Sequence, residues 1–291
     1  MAIVNPTFTL DDAYAYCEQR ARAHYENFPV GFFIPKAKRR HVHALYAFAR
    51  VADDFADERR YEGFRERKLD DWEARLHAAY EGRADGPIFV ALSDTVRRLD
   101  IPKTLLLDLL SAFRQDVVKS RYETWDELLD YCRRSANPIG RLVLLTFGYR
   151  DERLAELSDH VCTALQLANH WQDVAVDVAK DRIYIPLESR RSHGVSEDDL
   201  RNGRVTESYK ALMTDLIART RDLFQRGRPL CDAVGRDLRF ELRLTWLGGS
   251  SILDGIETAG FDVFRRRPSH SLWAKIALAL RAFFWRSARS A

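Results

Sequence analysis

The chain has 291 residues, of which 46% are hydrophobic and 31% charged, with a formal net charge of +3. That is enough for one large domain or two with a sizeable core, of ordinary globular composition, and no apolar run approaches the ~20 residues that span a bilayer. Seven basic residues and no acidic one follow position 262, so the body is net acidic and only the tail is basic, which argues against nucleic acid as a partner.

The four cysteines, Cys17, Cys132, Cys162 and Cys231, lie far apart with no CxxC, as expected of reduced core thiols in a reducing compartment. The N-terminus carries no basic stretch followed by an apolar run, so no signal peptide is expected. Proline and glycine are scarce, which favours long helices.

In chain order, a first helix is expected over 10–25, with Thr9 as N-cap and Asp11 and Asp12 in its first turn. The stretch 27–35, with two prolines and a glycine, reads as a loop. Helices follow over 36–58, 64–81, 88–99 and 103–118. The next spans 125–135, interrupted at Asn137-Pro138 and resumed over 139–147. Residues 151–180 read as one long helix, or two joined near Leu157, ending in the loop RIYIP. A short helix at 196–200, then 207–225, 230–246 and 252–259, complete the body. No strand alternation is long enough for a sheet, so the fold class is all-α.

Two of these helices carry polar stripes. Tyr46, Arg50, Asp53 and Asp57 are spaced 4, 3 and 4 apart, and Gln166, Asn169, Asp173 and Asp177 are spaced 3, 4 and 4 apart. At 3.6 residues per turn each set lies on one helix face. The residues around the second stripe, including Leu167, Ala168, Trp171, Val174 and Val176, are apolar, so that helix should be buried and its stripe should face something other than bulk water. Asp173 and Asp177 repel each other, and buried carboxylates require a cation or a dense set of donors. Four carboxylates are hard oxygen ligands suited to several Mg²⁺ ions, with a diphosphate completing the coordination. The two stripes are expected to confront each other across one apolar cavity. Arg50 and Arg182 suit phosphate oxygens, although each also fits a local ion pair or a helix-end charge. Gln166 and Asn169 could hold an anion or bond a neighbouring helix. Tyr46 and Tyr184 could donate to phosphate, flank a carbocation, or serve the core. No GxGxxG, GxxxxGK[ST] or HExxH is present, and the histidines read as structural.

With those residues assembled, the chain resembles the squalene/phytoene synthase family. The likeness rests on Tyr46-xxx-Arg50-xx-Asp53-xxx-Asp57, on Gln166-xx-Asn169-xxx-Asp173-xxx-Asp177 followed by Arg182-Ile183-Tyr184, and on the late FDVFRRR at 261–267, and runs from about residue 23 to 267. It implies an isoprenoid (terpenoid) synthase fold, one helical domain over 1–268 around a central apolar cavity, and a separate tail over 269–291. It implies that Asp53, Asp57, Asp173 and Asp177 bind Mg²⁺. It also implies that Tyr46, Arg50, Gln166, Asn169, Arg182 and Tyr184 line the site of a prenyl diphosphate. Family members that make a cyclopropyl intermediate carry a tyrosine before the Ala-Gly of a YxxYVAG-like stretch; Arg134 stands there in this chain. Gln172 stands where the family usually has arginine before the first aspartate of the second motif. In these features the chain is similar to the bacterial hopanoid-pathway branch that handles presqualene diphosphate. The implied reaction is Mg²⁺-dependent conversion of presqualene diphosphate and water to hydroxysqualene and diphosphate, a carbon–oxygen lyase step with no NADPH. Head-to-head condensation of two prenyl diphosphates by a squalene or phytoene synthase is the alternative. A non-catalytic helical scaffold is a third, and it would be expected to lose the aspartates.

In the tail, 272–285, Leu272, Trp273, Ile276, Ala277, Leu280, Phe283 and Phe284 form an apolar helical face, with Lys275, Arg281, Arg286 and Arg289 at its flanks and end. A basic amphipathic helix with aromatics suits an anionic membrane surface; packing on the body is the alternative. The expected location is cytoplasmic, peripheral to the inner face of the membrane, with hand-over to other enzymes of the squalene/hopanoid pathway.

Overall fold

The computed structural model describes residues 9–23 and 34–285, so most of the expected loop at 27–35 and the arginines at 286 and 289 lie outside the described residues. Among the described residues the chain is helical, with one isolated bridge between Arg121 and Ile183 and no strand. The helices are α1 Leu10–Ala23, α2 Lys36–Asp57, α3 Arg65–Tyr80, α4 Gly86–Leu99, α5 Lys103–Val118, α6 Trp125–Ser135, α7 Asn137–Thr146, α8 Glu152–Gln172, α9 Val174–Ala179, α10 Leu187–Ser192, α11 Glu197–Arg201, α12 Glu207–Gly227, α13 Leu230–Ala233, α14 Arg236–Thr258 and α15 Leu272–Phe283. A single 3-10 turn, Arg59–Tyr61, follows α2.

Two compact units make up the chain. One comprises Met1–Val118 with Arg141–Arg150; the other comprises Lys119–Gly140 with Asp151–Ala291.

In the first unit α1 begins where a capping pair begins it. The Asp12 amide donates to Thr9 Oγ1 at 3.2 Å, and the Thr9 amide donates back to Asp12 Oδ2 at 3.3 Å. The apolar faces of α1 to α5 close on one core around Phe48, Trp72 and Phe89, with the Trp72 and Phe89 rings 4.5 Å apart. One buried polar group joins α1, α2 and α4. The Tyr14 hydroxyl donates to Asp94 Oδ2 at 2.9 Å and lies 3.1 Å from His41 Nδ1 and 3.0 Å from Thr95 Oγ1. His41 Nδ1 and Thr95 Oγ1 are also 3.0 Å from each other, and Arg98 donates to Asp94, so each of these buried groups is satisfied more than once.

In the second unit α8 packs on α6, α12 and α14. Trp171, fully buried on α8, donates from Nε1 to Thr220 Oγ1 on α12 at 2.8 Å. Three expectations need correction here. The long helix at 151–180 is two helices, but the break falls at Asp173 rather than near Leu157. The expected helix 230–246 is α13 and the start of α14, parted at Val234-Gly235, and the separate helix at 252–259 is the continuation of α14. Helix α14 runs through Gly248-Gly249, and the bare Gly249 lets it approach α8 and α12. A Cβ there would lie 2.4 Å from Leu165 Cδ2 and 2.7 Å from Phe224 Cζ. Helix α10 has no counterpart in the sequence reading.

Gly227, at the end of α12, approaches the backbone of α8 itself. A Cβ on it would lie 2.5 Å from Val161 Cγ2 and 2.9 Å from both Leu157 O and Val161 N. The last two atoms are backbone and cannot rotate aside. Gly227→Ala is therefore expected to destabilise the fold by about 1–3 kcal/mol, as overpacking of a close interface does. A lowered urea midpoint with an unchanged m-value checks it; an unchanged midpoint would mean that α12 and α8 can part at no cost.

Candidate active site

The second stripe begins on α8 and ends on α9. Although Asp173 interrupts the helix (φ −103°, ψ 13°), its amide still donates to Asn169 O at 2.9 Å, and the Asp177 amide donates to Asp173 O at 2.9 Å. Because both i to i−4 bonds survive, Asn169, Asp173 and Asp177 keep their one-turn spacing on a single face. The surroundings are less apolar than expected. Leu167, Ala168, Trp171 and Val174 are buried, but Val176 on α9 is 46% exposed, so α9 is not a buried helix. Asn169 is exposed, and Asp173 and Asp177 are half-buried.

A guanidinium sits on Asp173. Arg267 Nη2 donates to Asp173 Oδ2 at 3.0 Å and to Gln172 Oε1 at 3.1 Å, and Arg267 Nε donates to Asp173 Oδ1. Gln172 Nε2 in turn donates to the carbonyl of Pro268. The hydrogen bond to Asp173, opposed by burial and reinforced by the charges of Asp173 and Asp177, holds Arg267 above the usual arginine range. Sequence reasoning quoted Arg267 only as part of the late FDVFRRR and assigned it no role. The run of three arginines was the available signal, but the pairing spans 94 residues.

After α9 the chain turns at Asp181, whose φ is +59°, and the Arg182 amide donates to Asp177 O at 2.8 Å. This turn is held by an ionic cluster. Arg121 bonds Asp181 Oδ1 at 2.8 Å and Glu197 Oε1 at 2.7 Å, and Arg201 bonds the same two carboxylates. The Arg121 hydrogen bond is the largest of the effects that bring the Glu197 carboxyl down to about 2. The turn thus ties Arg182 to Asp177, and Tyr184 two residues later stacks on His170 with ring centres 3.7 Å apart. His170 Nε2 lies 3.3 Å from Gln166 Nε2, and Tyr131 and Tyr122 complete an aromatic cluster within 5.8 Å of Tyr184. Burial brings the His170 imidazole down to about 3, so it is neutral at physiological pH and offers Gln166 a hydrogen-bonding nitrogen without charge. His170 was expected to be structural; it is buried, and it links Gln166 to Tyr184.

The first stripe lies on α2 in the first unit. Asp53 keeps 42% side-chain exposure, whereas its neighbour Asp54 keeps only 4%. Arg50 bridges both, at 3.2 Å to Asp53 Oδ2 and 2.8 Å to Asp54 Oδ1. Asp54, outside the stripe, is thus the carboxylate that α2 spends on the core, and Asp53 and Asp57 are the more accessible pair. Tyr46, half-buried one turn before Arg50, has its phenol shifted up by burial.

Among the described residues no three His, Cys, Asp or Glu side chains are grouped as a metal site. Each stripe offers two carboxylates one turn apart, fewer than the six oxygens Mg²⁺ takes, and water or phosphate would supply the others. The donor chemistry fits. The oxygens are hard, they are accessible, and Asp173 already holds a cationic side chain.

An all-helical chain with DxxxD stripes and adjacent arginines defines an enzyme of the isoprenoid-synthase fold. The squalene/phytoene synthase family description matches residues 20–274, and the chain belongs to that family. It is 36% identical over 223 residues to the hydroxysqualene synthase of Rhodopseudomonas palustris, covering 76% of this chain and 75% of that one. It is 34% identical over 265 residues to the phytoene synthase of Thermus thermophilus, covering 90% and 89%. It spans 63% of the length of the chloroplastic phytoene synthase of Narcissus pseudonarcissus, at 30% identity. Among solved structures, squalene synthase HpnC from Alicyclobacillus acidocaldarius superposes with a TM-score of 0.84 at 41% identity, over 87% of this chain and 96% of that one. The family typically uses Mg²⁺, and a prenyl diphosphate substrate is implied.

Arg267 and a metal ion would compete for one carboxylate. A half-exposed ion pair is worth about 1 kcal/mol or less, so Arg267→Gln is expected to tighten Mn²⁺ binding by up to about fivefold in the absence of diphosphate. Electron paramagnetic resonance titration of Mn²⁺ reads this directly; weaker binding in the variant would show that Arg267 supports the metal instead.

Proposed function

We propose that the protein converts presqualene diphosphate and water to hydroxysqualene and diphosphate. The observation that carries this reading is Arg134 on α6. Its side chain is only 13% exposed and is held by Asp130, with Nη2 2.9 Å from Oδ2. By the family resemblance, members that build the cyclopropyl intermediate carry a tyrosine at that place. A guanidinium cannot supply a phenol's hydroxyl or its electron-rich face. Gln172, where an arginine is usual, is engaged by Arg267 and Pro268. The likeness to a hydroxysqualene synthase points the same way.

In this reading Asp53, Asp57, Asp173 and Asp177 hold Mg²⁺, which when bound offsets charge on the departing diphosphate. Arg50 and Arg182 bind the diphosphate oxygens, and Gln166, set by neutral His170, and Asn169 orient it. The carbon–oxygen bond breaks with its electron pair on diphosphate. The cyclopropylcarbinyl cation rearranges while Tyr46 and Tyr184 offer it aromatic faces. Water then forms the new carbon–oxygen bond and gives up its proton to solvent. No electrons are gained or lost, so no NADPH is consumed.

A second reading, head-to-head condensation of two prenyl diphosphates, draws on the Thermus thermophilus phytoene synthase, whose likeness covers more of this chain than that of the hydroxysqualene synthase. One assay separates them. Purified protein with Mg²⁺ and no NADPH is given presqualene diphosphate alone, then farnesyl or geranylgeranyl diphosphate alone, and the products are read by mass spectrometry. Hydroxysqualene from the first and no turnover of the others is the expected result. Consumption of either prenyl diphosphate alone would replace the lyase reading with the condensing one.

A further inference from the structure

Helix α15 has two opposed faces, and among the described residues only one of them has a partner. Leu278 and Ala282 are buried where α15 packs on α14, and the Trp285 ring meets Trp246 edge-on at 5.5 Å. Leu272, Trp273, Ile276, Leu280, Phe283 and Phe284 are 43–78% exposed. At about 100° per residue these six fall within an arc of about 120°, nearly opposite Leu278 and Ala282. Lys275 and Arg281, both exposed, lie about 120° to either side of the centre of that arc. Packing against the described residues therefore does not account for the apolar face. Six large apolar side chains on one surface form a patch that water disfavours.

We propose that this face of α15 lies on the surface of an anionic phospholipid membrane while the opposite face stays docked on α14. Packing and membrane contact are then simultaneous properties of one helix. The charge pattern selects the occupant. Basic side chains flank the apolar arc on both sides, and the sequence from 263 onward contains seven Lys and Arg and no acid, which complements lipid phosphates. A second copy docked face to face would bring these like charges together with no carboxylate to meet them. A groove of about 490 Å³, lined by Arg228, Trp246, Leu247, Leu280, Arg281 and Trp285, continues the apolar face and sets two guanidinium groups at its edge. With 12 residues α15 is about 18 Å long, too short to cross a bilayer, so it would lie in the interface. This inference does not depend on which reaction the protein catalyses.

The test is flotation of the full chain with vesicles of phosphatidylcholine alone and of phosphatidylcholine mixed with phosphatidylglycerol, alongside sedimentation equilibrium without lipid. The chain is expected to float with the mixed vesicles at low salt and to be released by raised salt. W273E/F283E and K275E/R281E are each expected to lower the partition coefficient at least about tenfold, with circular dichroism unchanged because all four side chains are exposed. Failure to float with mixed vesicles, or equal binding by W273E/F283E, overturns the proposal. So does a dimer without lipid that W273E/F283E converts to monomer, which would assign the face to a second copy.

Discussion

Like charge at one-turn spacing is the constraint on which the candidate site depends. Two carboxylates stacked on a helix face repel each other, and a fold keeps them only if something positive meets them. On α2, Arg50 does so for Asp53, while also neutralising the buried Asp54. At the α8–α9 junction, Arg267 meets Asp173 from a segment far along the chain. Both stripes thus sit beside a guanidinium, and both keep accessible oxygens for a further cation. The hydrogen bonds through Asp173 matter for the same reason, since a true break would have turned Asp177 off the shared face.

Much of this was legible because it is local. The spacing of Tyr46, Arg50, Asp53 and Asp57 fixes a helix face by arithmetic, as does that of Gln166, Asn169, Asp173 and Asp177. Helices α5 and α6 run as the sequence pattern predicts. What the sequence concealed depends on distant neighbours. The sequence pattern parts two helices between 246 and 252, yet α14 runs through that stretch, and at Gly249 a missing Cβ permits close packing on Leu165 and Phe224. The bend at Asp173 leaves no signature in residue type. Arg267 could be read only as one of a basic run, and His170 only as a core histidine. Its link between Gln166 and Tyr184 arises because the turn at Asp181, clamped by Arg121 and Arg201, brings the chain back over α8.

The tail follows the same logic at a surface. A helix can bury one face on its own protein and still present a second to a different medium, and α15 has the residue types for both. An apolar substrate class and an apolar, basic-edged surface are compatible properties of one enzyme, although neither is evidence for the other.

The central proposal is that the carboxylates of both acidic stripes hold metal ions for a prenyl diphosphate. Anomalous scattering from Mn²⁺ in crystals grown with an unreactive prenyl thiodiphosphate tests it most directly. The account predicts peaks at Asp53 or Asp57 and at Asp173 or Asp177, present only when the thiodiphosphate is bound. Peaks confined to one stripe, or a diphosphate bound without manganese, would contradict it.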